Sequence, residues 1–345
     1  MCSFFSGGTP SSSKKEYYDG NIPFIRSGEL HDDQTELFIT EDGLKNSAAK
    51  MVEVGDLLLA LYGATSGDIA ISKINGAINQ AILCIRTEQS KKFIESIWYK
   101  HAGKLLQTYL QGGQGNLSAD IVKNISFYFA TIEEQKKLAK FISLLDERIS
   151  TQNKIIEDLK KLRSAIRVKV FKQLENSCEH WTELGNMLQY EQPSKYLVSS
   201  TEYSDDYTIP VLTANKAFIL GYTDENFGVY DKGECVIFDD FTMDVKFVNF
   251  PFKVKSSAIK ILTSIGSNDL YFVYEYLQNL GLVSEEHKRH YISEIEPMNI
   301  AYPPLEEQQK ISNLLRSFNN KIECANRELF LYNQQKQYLL TLMFI

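Results

Sequence analysis

Cysteine is scarce and scattered in this chain: Cys2, Cys84, Cys178, Cys235 and Cys324 form no Cys-x-x-C pair and no cluster with the five histidines. That pattern argues against a structural zinc site and a disulfide framework, and for a reducing cytoplasm. Long apolar runs are missing as well. None approaches the roughly 18 residues that a membrane helix requires, and the opening Met-Cys-Ser-Phe-Phe-Ser lacks a basic n-region, so neither a signal peptide nor a membrane span is expected. Catalytic signatures are missing too. There is no G-x-G-x-x-G or Walker A loop, no G-x-S-x-G elbow and no Asn/Asp-Pro-Pro-Tyr motif. The expectation is a non-catalytic chain that needs no metal and no cofactor.

Positive charge is short. The net charge is −7 over 345 residues, distributed as −2 over residues 1–130, +4 over 131–175, −10 over 176–302 and +1 over 303–345. On its own this is not the electrostatic footprint of a nucleic-acid binder, so any phosphate neutralisation must be shared with a partner. Apolar content of 43% with 23% charged residues fits a soluble globular protein, and the length allows two or three domains.

What the chain does have is a repeat. Ile-Glu-Glu-Gln-Lys-Lys-Leu from Ile132 returns as Leu-Glu-Glu-Gln-Gln-Lys-Ile from Leu305, and the offset of 173 holds without a gap to the end. Leu138, Ile142, Leu145, Ile149, Ile156, Leu159, Ile166 and Val170 fall opposite Ile311, Leu315, Phe318, Ile322, Leu329, Tyr332, Leu339 and Met343. Steps of four and three alternate, the seam of a coiled coil, and even a polar interruption repeats, Arg163 opposite Lys336. Two long helices that pair with each other are expected. Thr131 before Glu133–Glu134 and Pro303–Pro304 before Glu306–Glu307 are their entry signals, with the carboxylates favoured by the positive end of the helix dipole.

Each helix follows a globular stretch, and the two stretches echo each other. Ile22-Pro-Phe-Ile matches Ile209-Pro-Val-Leu, Gly55-Asp-Leu-Leu matches Gly233-Glu-Cys-Val, and Gln80-Ala-Ile-Leu matches Ser257-Ala-Ile-Lys. Short strands are expected at these points, helices over 90–111 and 268–281, and a returning strand over 125–129. The fold class read from this is α+β: two mixed α/β domains in tandem, residues 1–130 and 176–302, separated and followed by long helices, 131–175 and 303–345, that pair as an antiparallel coiled coil.

The arrangement resembles the specificity (S) subunit of type I restriction–modification systems. The carrying residues are Gly8-Thr-Pro-Ser11 with Tyr17–Tyr18 and Ile22-Pro23, Gly55-Asp-Leu-Leu58 with Gly67, and Leu305-Glu-Glu-Gln308. The resemblance implies two target-recognition domains, each reading half of a bipartite sequence in double-stranded DNA. It also implies that the paired helices space the domains and dock two methyltransferase subunits, to which restriction subunits join. The assembled complex would then be a DNA adenine methyltransferase and ATP-dependent endonuclease. A helix of about 33 residues spans on the order of 50 Å, enough to hold two readers roughly one duplex turn apart. One departure stands out. Trp181-Thr-Glu-Leu-Gly185 precedes the Gln192-Pro-Ser194 loop, whereas the first region begins only nine residues before Pro10, so the expectation is either that the true start lies upstream or that the first domain has lost its opening segment.

Candidate DNA contacts fall on loops, and each has a plainer reading. Thr9, Ser11, Ser12, Lys14 and Lys15 suit phosphates and base edges, or form a solvated loop. Thr65 and Ser66 lie in a small-residue loop that lets backbone approach DNA or is simply a tight turn. Gln114 and Asn116 suit adenine, or mark a helix break. Asn215 and Lys216 follow a strand. Asp240 and Thr242 sit in an acidic loop suited to cytosine or adenine amino groups, with a cation site or solvated turn as the rival reading. Lys246, Lys288, Arg289 and Tyr291 are the phosphate candidates of the acidic domain, and His290 reads as a polar surface residue. Two other classes of protein remain open at this stage: a coiled-coil adaptor with protein-binding heads, and a stand-alone enzyme.

Overall fold

The protein is described by a computed structural model covering residues 2–110, 117–213, 218–284 and 289–343. It divides into two compact units, Met1–Asn153 with Arg327–Ile345, and Lys154–Asn326.

The first unit contains β1 (Cys2–Ser6), β2 (Tyr18–Ile25), β3 (Phe38–Ile39), α1 (Glu41–Lys45), β4 (Lys50–Val52), β5 (Leu57–Ala60), β6 (Ile69–Ile71), β7 (Gly76–Ile78), β8 (Ile82–Thr87), α2 (Lys91–Leu110) and α3 (Ala119–Lys123). It also holds the first part of α4 (Ile132–Ser177). Its sheets run β1-β8-β5-β6 and β3-β2-β7-β4. β5 reads Leu-Leu-Leu-Ala because both its faces are covered. Leu58 and Ala60 enter one core cluster with Ile25 and Ile78, while Leu57 and Leu59 enter another with Ile94 and Trp98 of α2.

The second unit, beside the remainder of α4, contains β9 (Trp181–Glu183), β10 (Leu188–Glu191), β11 (Ile209–Leu212), β12 (Ile219–Thr223), β13 (Cys235–Asp239), β14 (Val245–Val248), β15 (Lys253–Val254), β16 (Ile259–Ser264), α5 (Leu270–Leu280), β17 (Asn299–Ala301) and the first part of α6 (Leu305–Met343). The order β10-β16-β13-β14 repeats β1-β8-β5-β6, and β12-β11-β15 repeats β3-β2-β7. The one parallel pairing of each minor sheet recurs, β2 with β7 and β11 with β15. The glycines that open β5 and β13, Gly55 and Gly233, both sit at φ +91°, a conformation a side chain resists, which is why the Gly-Asp/Glu pair is written twice. β13 divides its side chains as β5 does, Cys235 and Ile237 to one cluster, Val236 and Phe238 to the other.

The long helices pair inside each unit. In the first, Asp146 of α4 meets Lys336 of α6 at 2.6 Å, Arg148 lies 4.6 Å over the Tyr332 ring, and Gln152 Nε2 donates to Glu328 Oε2 at 3.1 Å. Ascending numbers on α4 meet descending numbers on α6, so the pairing is antiparallel. In the second unit Ile166, Val170, Phe171 and Leu174 share a core with Ile311 and Leu315. Ile142, Ile156, Ile311 and Leu315 are buried, while Leu138, Leu145, Ile149, Leu159, Phe318, Ile322 and Leu329 are half-buried. The sequence reading passed over several inward positions, among them Gln152 on α4 and Ala325 on α6, both 6% exposed. It read Arg163 and Lys336 as interruptions, but each reaches a carboxylate: Arg163 holds Glu275 of α5 at 2.5 Å, and Lys336 shares Asp146 with Lys92 of α2.

The motif glutamines anchor each helix start. Gln135 accepts the Ser90 backbone N–H at 3.1 Å and donates to the Ala130 carbonyl at 2.8 Å. Gln308 accepts the Asp269 N–H at 3.0 Å and donates to the Pro303 carbonyl at 2.9 Å. Thr131 and Glu134 form a reciprocal cap, the Thr131 N–H donating to Glu134 at 3.0 Å.

One expected strand is not formed. Residues 125–130 carry no strand pairing, whereas their counterpart β17 pairs antiparallel with β9, Ile300 opposite Thr182. Alternating apolar residues suffice for an extended chain, but a strand needs a neighbour to receive its backbone groups.

Candidate nucleic-acid interface

Strand register brings three loops to one end of the main sheet in each unit. In the first, Ser6 pairs with Leu83 and Ala60 with Ile82, so the loops after β1, after β5 and before β8 leave from the same end. In the second, Glu191 pairs with Ile261 and Asp239 with Ile259, grouping the loops after β10, after β13 and before β16. A fourth segment joins each set. The Leu117 N–H donates to the Leu61 carbonyl at 2.8 Å, and 173 residues later the His290 N–H donates to the Asp240 carbonyl at 3.2 Å.

The loop after β1 is fastened rather than free. Side chains at Gly7 and Gly8 would collide with the Ile78 carbonyl and with Ala48, so two glycines let the chain lie against the sheet. Thr9 Oγ1 donates to Gln80 Oε1 at 2.6 Å, Tyr18 OH to the Pro10 carbonyl at 2.6 Å, and Lys14 Nζ to Tyr17 OH at 2.8 Å. The Tyr17 contact raises the Lys14 pKa, which keeps this ammonium charged. Thr9, Ser11, Ser12, Lys14 and Lys15 are all exposed, and Lys15 makes no ion pair among the described residues. Beside this loop Thr65 and Ser66 are half-buried in a tight turn in which Ser66 Oγ donates to the Leu61 carbonyl at 3.0 Å. The turn ends at Asp68, whose carboxylate takes His31 Nε2 at 2.9 Å. That hydrogen bond raises the His31 pKa; burial works to raise Asp68, but its partner His31 holds it below the usual carboxylate range. Gln80, exposed on the same end, is a candidate that sequence reasoning passed over.

The second unit corrects three readings. Asp240 is 1% exposed, its carboxylate accepting the N–H groups of His290 at 3.0 Å and Tyr291 at 2.8 Å and facing Lys260 at 3.2 Å. Its oxygens are spent on the fold, and Asp239 Oδ1 likewise accepts the Phe241 and Thr242 N–H groups at 2.8 and 2.7 Å. Tyr291 is fully buried with its ring 5.4 Å from Phe238 and 5.9 Å from Tyr190, so it builds the core instead of touching phosphate. His290 is likewise interior, 2% exposed, with Nδ1 at 2.9 Å from Glu294. A buried polar turn and an exposed polar loop have the same composition, which is why the sequence did not separate them. Thr242 and Arg289 are exposed, and Lys246 is half-buried against Asp244 at 3.0 Å. Ser194 and Lys195, at the place of the first unit's 9–15 loop, are exposed and were not singled out. Gln114, Asn116, Asn215, Lys216 and Lys288 lie outside the described residues.

Comparison with known proteins bears on both halves. The family model for the type I restriction modification DNA specificity domain matches residues 1–161 and 179–329. The chain is 42% identical over 171 residues to the EcoR124I/EcoR124II specificity subunit of Escherichia coli, covering 46% of this chain and 42% of that protein. It is 24% identical over 269 residues to the putative MjaX specificity subunit of Methanocaldococcus jannaschii, covering 67% and 61%. The matched stretches thus span about half the length of these curated relatives. Among solved structures, a type I restriction–modification S subunit from M. genitalium superposes with a TM-score of 0.65 over 100% of this chain and 94% of its own, at 16% identity. A chain from a type I R-M complex reaches 0.60 over 99% and 97% at 15% identity. At such identities the likeness concerns the fold.

Proposed function

Because the chain belongs to the type I restriction–modification DNA specificity family, we propose that it is the sequence-reading, non-catalytic subunit of such a complex in the cytoplasm. Each globular domain, residues 1–130 and 176–302, reads one half of a bipartite site in double-stranded DNA. The helical segments 131–175 and 303–345 set the spacing and dock two methyltransferase subunits, to which restriction subunits add the ATP-dependent nuclease. The supporting observation is the loop-bearing sheet end that occurs twice, once per domain, with the same strand order and the same fourth segment fastened to it.

The division of labour follows from the charges. Exposed hydroxyls, amides and single cations at these ends, among them Ser11, Ser12, Lys15, Gln80, Thr242 and Arg289, suit base edges and a few phosphates. A net charge of −10 over residues 176–302 leaves most phosphate neutralisation to the methyltransferase subunits. The test is selection of duplex DNA from a random pool by the chain co-expressed with its methyltransferase subunits. Enrichment of one motif with two fixed halves and a constant gap is the expected result; a pool without enrichment sinks the reading.

A further inference from the structure

Beneath its loops, the sheet end of the second unit holds a buried charged network. Lys260 Nζ of β16 lies 3.2 Å from Asp240 Oδ2 and donates to Tyr190 OH of β10 at 3.0 Å. The other oxygen, Asp240 Oδ1, accepts the N–H groups of His290 at 3.0 Å and Tyr291 at 2.8 Å. The His290 N–H also reaches the Asp240 carbonyl at 3.2 Å, so the carboxylate matters most at Tyr291. One side chain, a residue past β13, thus ties β10 and β16 to the segment that carries Arg289. Two exposed groups flank it: Thr242 follows Asp240 by two residues, and Arg289 directly precedes His290.

The first unit builds the same place from leucine. Its Leu61 N–H donates to the Ala81 carbonyl at 2.7 Å, as the Asp240 N–H does to the Ala258 carbonyl at 3.1 Å, so Leu61 stands where Asp240 does. The pairs Leu59–Leu83 and Phe238–Lys260 likewise put Leu83 in the place of Lys260. Both leucines are buried in one apolar cluster. The fold therefore does not need the ion pair. Packed apolar residues often serve stability as well as a buried pair or better, and the best-attested use of such a pair is to fix one geometry.

We propose, on the reading of this sheet end as a DNA-reading surface, that Asp240 is a positioning residue for recognition of the second half-site. Its Oδ1 fixes the main chain at residues 290–291 and, through it, the reach of Arg289 toward DNA. Lys260 holds the carboxylate in the orientation that does this. Charge-assisted bonds from a buried carboxylate to backbone N–H groups make a rigid mount. Recognition groups need to be held to within about 0.5 Å, which an exposed residue on a loosely fastened loop does not achieve.

The experiment compares three complexes of the full chain co-expressed with methyltransferase subunits: the parent, Asp240→Leu with Lys260→Leu, and Asp240→Asn with Lys260→Gln. The leucine pair copies the first unit and strands no charge. The amide pair keeps an oxygen for both N–H groups without either charge. Selection of duplex DNA from a random pool reads each half of the motif, and hydrogen exchange reads the Tyr291 amide. With the leucine pair that amide should exchange about tenfold faster, the loss of one hydrogen bond. Preference at a position of the second half should fall about tenfold, the scale of one base-pair contact. The first half and the gap should stay as in the parent, which shows that the chain has folded and assembled. The amide pair should restore both readouts. The proposal is overturned by a leucine pair that keeps the whole motif, by equal exchange in all three complexes, or by loss of both halves together. A parent complex that selects no two-part motif overturns the function reading and this proposal with it; wherever the parent motif stands, the proposal alone is judged.

Discussion

Gln135 and Gln308, 173 residues apart, make the same pair of hydrogen bonds, each accepting the backbone N–H at the start of a domain helix and donating to the carbonyl five residues upstream. Both side chains are 1% exposed. The Glu-Glu-Gln motif is therefore a joint: its carboxylates face solvent at the helix start, and its glutamine ties the long helix to the domain that precedes it. Replacing either glutamine with leucine keeps the volume but removes the partner of one backbone N–H and one carbonyl that are buried or half-buried. A cost of about 1–3 kcal/mol is expected for Gln135→Leu and for Gln308→Leu, read from urea unfolding. Losses indistinguishable from those of an exposed helix position such as Gln334→Leu would contradict the joint.

Arg163 and Glu275 test a second attachment. Glu275 is fully buried on α5, with Arg163 Nη2 at 2.5 Å and Arg167 Nη1 at 3.8 Å. A buried carboxylate that loses its nearest cation is costly, while removal of the whole pair is far less so. Arg163→Leu is expected to destabilise by about 3 kcal/mol, and Arg163→Leu with Glu275→Leu by clearly less than Arg163→Leu alone. Chemical denaturation of the single and double variants decides it. Additive losses would mean that the two side chains are independent.

The His31–Asp68 contact sets a pH dependence. The folded-state pKa of His31 is raised by Asp68, so its contribution is full below the ordinary histidine value and is lost as pH rises through the folded value. Because the imidazole is half exposed, solvent screening limits the effect to about 0.5 kcal/mol. The stability difference between pH 5.5 and pH 8, in the range where histidine titrates, should shrink by about that amount in His31→Gln. An unchanged difference would show that the contact carries no linkage.

Charge and readout at the loop ends separate by salt. In the complex with methyltransferase subunits, Lys15→Ala is expected to lower the slope of log affinity against log salt by about 0.9, one phosphate contact. Thr242→Ala should leave the slope unchanged while relaxing preference at a base position. A Lys15 variant with the parent slope would remove it from the interface.

The duplication was legible because helical pairing and strand order constrain residue type at fixed spacings. Gly55 and Gly233 had to be glycine, and Gln135 and Gln308 had to be glutamine, for reasons that survive in one sequence. The interface was less legible. Asp240 and Tyr291 looked like loop contacts, yet the first binds backbone N–H groups and the second fills the core, and neither role leaves a mark on composition. Residues 125–129 had the alternation of a strand, but pairing depends on a neighbour that periodicity does not register. Arg163 looked like a defect of the seam because its partner, Glu275, lies 112 residues away on another element.

The most direct test of two independent readers is an exchange of one. Residues 178–304 would be replaced by the corresponding segment of another family member, with the joint at Gln308 and both long helices kept, and methylated adenines would be mapped genome-wide in cells carrying the methyltransferase subunits. The account predicts a new motif in which one half changes while the other half and the gap stay fixed. A motif altered in both halves, or an unaltered one, would contradict it.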